Sequence, residues 1–414
     1  MRPGTLAIAR RNLWRNRRRT LITLSSIAFG SMLAVILTGI GDSNWSRMID
    51  LAARLGSGHV TVQHAEYLDA PTVARTIDGA ARIRATAEAD PDVVAVVERI
   101  HGAMMLSAAG RSYGASFIAY APEAESGETL SVLDAVSVGR APATSEGRGL
   151  VLGADLARNL GVEVGRKVVF SLTDADGEVV QEAARIVGLV RTGAPSVDAG
   201  LVLVPLGRMR EVLGYAPGET LQLAVFLRDQ RLSGEVARRL GASLAGDVAA
   251  LSWDAAQPEL AAFIAMKVAG ARFMEILILV LIAAGIFNTL FVSVMERMRE
   301  FGILLAVGAS PARIFALVMG ESLWLGLYGL VAAAVLTAGP YWLLATRGID
   351  VSGMLGEGSA EIAGVALAPM LYAAIRGENL LAIAGAALGA TLLAGLYPAW
   401  RAGRVEPVDA IRLV

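Results

Sequence analysis

Residues 292–315 read VSVMERMREFGILLAVGASPARIF. An uncharged run ends at Met295, and Glu296, Arg297, Arg299 and Glu300 follow at once. From Glu300 to Val307 the spacing predicts a short helix with Phe301, Leu304 and Leu305 at i, i+3 and i+4, one apolar face. Gly308 suits its C-terminal cap, Ser310 can cap the next helix, and Pro311 fits the first position of that helix, where its missing N–H costs nothing. A passive connector needs only a few polar residues. A stiff two-signed helix between apolar runs suits docking into a groove on a partner protein, or else rests at the lipid surface.

The runs on either side are of membrane length. A bilayer core needs roughly 20 apolar residues in a helix. Residues 21–41, 276–295, 311–346 and 380–400 meet that need, and the third carries one carboxylate, Glu321. The first run exceeds the roughly 7–15 residues of a signal-peptide core and no A-x-A site follows, so it reads as an uncleaved anchor. Arginine sets the expected orientation. Seven lie in residues 1–19, Arg297 and Arg299 lie between spans two and three with Arg313 at the start of the third, and Arg401, Arg404 and Arg412 follow span four. Four spans put all three segments on one side, expected to be the cytoplasm. Segments 42–275 and 347–379 are then extracytoplasmic. Trp14, Trp45, Trp342 and Trp400 stand near predicted span ends, where amphipathic rings settle.

Composition agrees. The 414 residues are 55% hydrophobic and 18% charged, against about 25% charged in soluble domains. Net charge is −1, which gives no reason to expect nucleic acid. No cysteine is present, which excludes disulfides, thiolate metal sites and thiol nucleophiles. His59 and His64 fall on opposite faces of one strand with no third ligand in view, so no metal site is expected. A phosphate-gripping P-loop ends in Lys-Ser or Lys-Thr, whereas Lys167 and Lys267, the two lysines, each precede valine.

Residues 42–275 read as a soluble mixed α/β domain. Strand patterns appear in HVTVQ, VVAVVERI, RSYGASFIAY, KVVFSLTD and TLQLAVFLRD, and helical patterns in 78–89, 153–160 and 232–244. TDADGEV supplies a hairpin turn. A break between two lobes is expected near 121–149, where Gly, Pro and Ser concentrate. Glu123/Glu125 and Asp174/Asp176 read as solvated loops, and no catalytic constellation appears. Helical rhythm continues past the first span to Gly56 and precedes the second from Asp254, predicting stalk-like extensions. In the second loop, GVALAPMLYAAI is too short to span and reads as a strand or interfacial segment.

ERMREFGILLAVGASPARIFALVMGESLWLGLYG, the opening RNLWRNRRRTLITLSSIAFG, the internal GLVLGADLARNLGVEVGRKVVFSL and the closing LYPAWRAGRVEPVDAIR together resemble the permease superfamily that contains MacB, FtsX and the lipoprotein-releasing LolC and LolE. The resemblance runs along essentially the whole chain. It implies an α-helical integral membrane protein of the bacterial inner membrane, with four transmembrane helices and both termini cytoplasmic. A large mixed α/β extracytoplasmic domain is inserted between helices one and two, with boundaries at 1–20, 21–41, 42–275, 276–295, 296–310, 311–346, 347–379, 380–400 and 401–414.

The same resemblance implies a non-catalytic subunit. ATP and Mg would be bound by a separate cytoplasmic ATPase dimer, and this chain would bind no cofactor itself. A second permease copy, identical or related, would complete the membrane part, with a periplasmic carrier or adaptor as a further partner. Glu296, Arg297, Arg299, Glu300, Phe301, Gly302, Leu304, Leu305 and Gly308 would couple to the ATPase. The size of the outer domain leans toward LolC and LolE and so toward release of lipoprotein or amphipathic cargo. An FtsX-like subunit that signals to an outer enzyme without moving cargo is the alternative.

Two further groups are singled out. Glu321 either snorkels to the cytoplasmic surface or pairs with Arg297, Arg299 or an N-terminal arginine. In span one, Gly30 with Ser31 and Ala34 makes a small-residue strip suited to a dimer face, and Phe29, Met32, Leu33 and Ile36 are candidates to line a cargo cavity. Plain lipid exposure is the simpler reading of both span-one sets.

Overall fold

Four long helices and one mixed sheet dominate the computed structural model, which describes residues 3–355, 361–362, 365–366 and 370–405. In chain order the elements are α1 (Pro3–Leu13), α2 (Arg17–Ala52), β1 (Val60–His64), α3 (Ala80–Glu88), β2 (Val93–Ala108), β3 (Arg111–Tyr120), β4 (Val136–Gly139) and β5 (Gly149–Gly153). Next come α4 (Ala154–Leu160), β6 (Lys167–Thr173), β7 (Val179–Val190), α5 (Pro195–Gly200), β8 (Leu201–Pro205), α6 (Leu206–Leu213), β9 (Gln222–Leu227), α7 (Ser233–Ser243) and β10 (Val248–Ser252). The chain continues through α8 (Trp253–Ala256), α9 (Pro258–Glu296), α10 (Met298–Ala306), α11 (Pro311–Thr346), α12 (Ser352–Leu355) and α13 (Gly377–Gly403). Arg412 and the rest of the closing motif from 406 onward lie outside the described residues, as does part of GVALAPMLYAAI, whose Met370–Leu371 pairs antiparallel with Ile349–Asp350.

The chain forms two compact units, one of Met1–Asn44, Met266–Asp350 and Met370–Val414, the other of Trp45–Ala265 and Val351–Pro369. In the first, α2, α9, α11 and α13 are each long and apolar enough to cross a bilayer. A helix satisfies its own backbone, which lipid cannot do for it. The helices pack through Ile27, Ile282, Ile286, Leu290, Leu325 and Ala394. A Cβ on Gly30 would stand 2.2 Å from Ile282 Cδ1, so Gly30 is where α2 and α9 of one chain approach. Ala34 packs on Ile383, and Ser31 is buried too. The strip read as a dimer face is therefore spent inside the bundle, because only small residues let these helices close up.

The second unit is built on a ten-stranded sheet in the order β10-β1-β9-β2-β3-β8-β5-β7-β4, with β6 joining β2 to β7. The pairings β2–β3–β8–β5–β7–β6 return to β2, closing a small barrel that leaves few bare edges. Its interior holds Leu106, Phe117, Leu152, Phe170, Ile186 and Val202. β2 belongs to two layers. Val93–Arg99 pair with β9, while Ile100–Ala108 pair with β3. The strands β1, β9 and β10 and the start of β2 carry a second core with α3 and α7, through Val62, Ile83, Val225 and Val236. The expected break at 121–149 is thus misplaced: the two cores meet along β2, and the Gly-rich stretch only links strands of the barrel side.

At that junction Arg99 is fully buried. It donates to both carboxylate oxygens of Glu125, to the Gly56 carbonyl at 2.6 Å and to the Thr129 carbonyl at 2.7 Å. Glu125 was expected in a solvated loop; instead it neutralises a buried guanidinium, a long-range pairing that local composition does not reveal. Gly56 belongs to the widened turn Ala53–Ser57 that ends α2, so Arg99 grips the end of that helix. Beside it, burial and then the Arg99 charge push His101 down to about 3.

Two predictions follow from this hub. Removing one partner strands the other as a buried charge, at a cost of about 3–5 kcal/mol. Glu125→Gln is therefore expected to lower the second unit's melting temperature by many degrees in detergent, while Glu66→Gln, which breaks the exposed Arg75–Glu66 pair, leaves it within error; equal melting of both variants contradicts the assignment. His101 stays neutral when folded and takes up a proton near the ordinary 6.5 when unfolded. Acid therefore favours the unfolded form below 6.5, by about 2 kcal/mol at pH 5. His101→Gln is expected to flatten the fall in melting temperature between pH 7 and 5; an unchanged slope counts against it.

Candidate functional site

The candidate site is α10 with the side chains that fasten it. Its end is a Schellman turn: Ala309 N–H donates to the Leu304 carbonyl at 2.9 Å and Gly308 N–H to Leu305 at 3.0 Å. Gly308 sits at φ +99°, a left-handed conformation that suits glycine. Ser310 does not cap α11 through its hydroxyl. Its carbonyl receives Arg313 N–H at 2.9 Å, and Pro311 occupies the first helical position.

One face of α10 turns inward. Phe301 is fully buried with Val294, Ile314, Val318, Ala399 and Ala402, and Gly302 is buried beside it. Leu305 is half-buried against the same cluster. Phe301 was expected to present itself to a partner together with Leu304 and Leu305; it is the anchor instead, with Leu305 half-buried beside it, and of the three only Leu304 is open. The opposite face is open. Arg299 is exposed, and Ile303, Leu304 and Val307 are 47%, 44% and 83% exposed. Arg299, Ile303 and Val307 are spaced four apart, so they form one stripe. Arg299 and Leu304 of this face were named from the sequence; Ile303 and Val307 were not, although helical spacing puts them with Arg299.

Charges fix the helix in place. Glu321, 5% exposed in α11, accepts from Arg297 Nη1 at 2.8 Å and from Asn12 Nδ2 at 2.9 Å. Arg297 also donates to Glu300 at 3.1 Å and lies over the Phe301 ring, 5.1 Å from its centre. Arg15 reaches Glu300 at 2.6 Å and Arg19 reaches Glu296 at 2.6 Å. The Arg15 hydrogen bond, reinforced by Arg297, holds the Glu300 carboxyl below the usual carboxylate range against the opposing effect of burial. Asn12, Arg15 and Arg19 were not assigned to this site from sequence, although the i, i+4 spacing of the two arginines puts them on one face. A cavity of about 260 Å³ remains among Asn12, Asn16, Thr289, Ser293 and these charges. Arg299 is not part of the network and stays outside it.

The span-one candidates do not join this cluster. Phe29 is 58% exposed on the outer surface of α2, Met32, Leu33 and Ile36 are half-buried, and Gly30 is internal. Among the described residues, no three His, Asp or Glu side chains are placed to hold a metal ion.

Known proteins resemble this chain. Residues 20–243 match the model of the MacB-like periplasmic core domain, and residues 272–407 match that of the FtsX-like permease C-terminal domain. The lipoprotein-releasing system transmembrane protein LolC of Xylella fastidiosa is 29% identical over 279 residues, 64% of this chain and 64% of that protein's length. The macrolide export ATP-binding/permease protein MacB of Hyphomonas neptunium is 32% identical over 127 residues, 31% of this chain and 16% of that one. A crystal structure of the periplasmic region of MacB from Actinobacillus actinomycetemcomitans aligns with a TM-score of 0.35 at 14% identity, over 49% of this chain and 91% of that one. The chain belongs to the MacB/FtsX-like family of ABC transporter permeases.

Proposed function

We propose that this chain is the permease subunit of an ATP-binding cassette complex of the bacterial inner membrane, with both termini cytoplasmic. A separate ATPase dimer, holding ATP and Mg, seats each copy of α10 in a groove and moves it. The observation that carries this reading is the two-sided character of α10. One face is locked to the spans by Phe301 and the Arg297–Glu321 pair, and the other offers Ile303, Leu304 and Val307 to water. A helix built so passes a push on its outer face into the spans. The long continuous helices α2 and α9 are suited to carry the motion to the outer side.

The work done there is the extraction or release of a lipoprotein or other amphipathic cargo from the membrane. The extent of the similarity to proteins named for lipoprotein release supports this over drug export. The FtsX-like match at 272–407 favours a second reading, in which the chain switches an outer enzyme without moving cargo. In membrane vesicles, ATP-dependent release of a lipoprotein to a soluble acceptor supports the first; activation of a cell-wall hydrolase with no release supports the second.

Ile303→Glu with Val307→Glu is expected to reduce co-purification of the ATPase by about tenfold or more, the scale of losing central apolar anchors, while the chain still inserts. Phe301→Leu keeps the outer face and should retain the ATPase. Undiminished capture by the double variant contradicts the docking assignment. Glu321→Gln is expected to keep the ATPase bound but to break the response of ATP hydrolysis to the outer side, with Glu321→Asp intermediate; wild-type coupling in both would remove the ion pair from the mechanism.

A further inference from the structure

The arginines at and just before the start of α2 divide into two sets. Arg15 and Arg19 point to Glu300 and Glu296, as described. Arg17 and Arg18 are exposed and make no ion pair with any described residue. One turn on, at i+4, stand Leu21 and Ile22, 53% and 59% exposed, and seven residues past Ile22 stands Phe29, 58% exposed. Ser26 lies between them but folds its hydroxyl back to the Ile22 carbonyl at 3.0 Å, so it offers little unmet polarity.

From Arg18 to Phe29 the helix rises about 16 Å, close to half of a bilayer core of about 30 Å. With Leu21 at the edge of the hydrocarbon, the guanidinium groups would stand at headgroup level and the apolar line would run to the mid-plane. Two cations without an ion-pair partner at the end of a strip of this length fit an amphipathic anion better than a soluble one. A bare phosphate leaves Leu21, Ile22 and Phe29 unused, and a polar protein surface leaves them exposed to a poor solvent.

We propose that Arg17 and Arg18, with Leu21, Ile22 and Phe29, form a binding site for an anionic phospholipid of the leaflet bordering this end of α2. Its phosphodiester sits on the two guanidinium groups and one acyl chain lies along the helix. The site needs α2 to span the membrane but does not depend on how α10 is used, so it stands or falls separately from ATPase docking.

Native mass spectrometry of the purified complex reads it directly, with phosphatidylglycerol or phosphatidylcholine added to the detergent. Each arginine near a membrane surface is worth roughly a fivefold change in affinity for acidic lipid. The wild type is expected to retain phosphatidylglycerol over phosphatidylcholine. Arg17→Gln with Arg18→Gln is expected to bind it about thirtyfold more weakly, Arg17→Lys with Arg18→Lys should restore retention, and Arg299→Gln should change nothing. Arg10, Arg11, Arg15 and Arg19 remain in the neutral variant to hold its orientation, and insertion is checked by protease protection. Inorganic phosphate alone should not displace the lipid. Undiminished retention in the neutral double variant, equal binding of phosphatidylcholine, displacement by phosphate, or an equal loss in Arg299→Gln would each overturn the assignment.

Discussion

The placement of α10, on which the functional reading rests, depends on the bond between Arg297 and Glu321. A carboxylate set well inside an apolar helix is costly unless it is met, by about 2.5–3.5 kcal/mol or more at mid-membrane. Here it is met from two directions, by Arg297 at the entrance to α10 and by Asn12 on α1. The guanidinium in turn spans Glu300 and the Phe301 ring. One buried acid thereby collects the N-terminal helix, the short connecting helix and the third span into a single rigid corner. With that corner fixed, the exposed face of α10 has a defined direction. Without it, α10 would be an amphipathic segment free to lie in lipid.

The second unit follows a similar logic with the same pair of residue types. Arg99 gathers Glu125, Thr129 and the last turn of α2 at the place where β2 changes partners from β9 to β3. Buried ion pairs seldom add net stability, but they do select one arrangement among several apolar alternatives. In both units an arginine paired with a buried carboxylate fixes the end of a helix, and apolar packing supplies most of the energy.

Much of the fold is legible in the sequence. The membrane spans, the helix between the second and third, its glycine cap and the strands with clear alternation are all dictated by local pattern. What was missed was non-local. β8 is LVLVP, a short unbroken apolar run that periodicity cannot tell from helix, and β7 mixes Gln, Glu and Ala into a strand that reads as helical. The lobe boundary was misplaced because composition marks flexible loops, whereas β2 bends between two cores without a turn signal. Glu125 looked solvated since its partner is 26 residues away. At the candidate site the direction of Phe301 was misjudged for a related reason: helical spacing gives a face, and only the packing around it says which way that face turns.

The central claim is that α10 presents its Ile303–Val307 stripe to one compartment while the barrel domain works in the other. Because the chain lacks cysteine, Val307→Cys and Val179→Cys, each at an exposed position, can be labelled singly in intact spheroplasts with a membrane-impermeant maleimide. The account predicts rapid labelling at residue 179 and none at residue 307 until the membrane is opened. Labelling of both positions in sealed cells, or of neither, would contradict it.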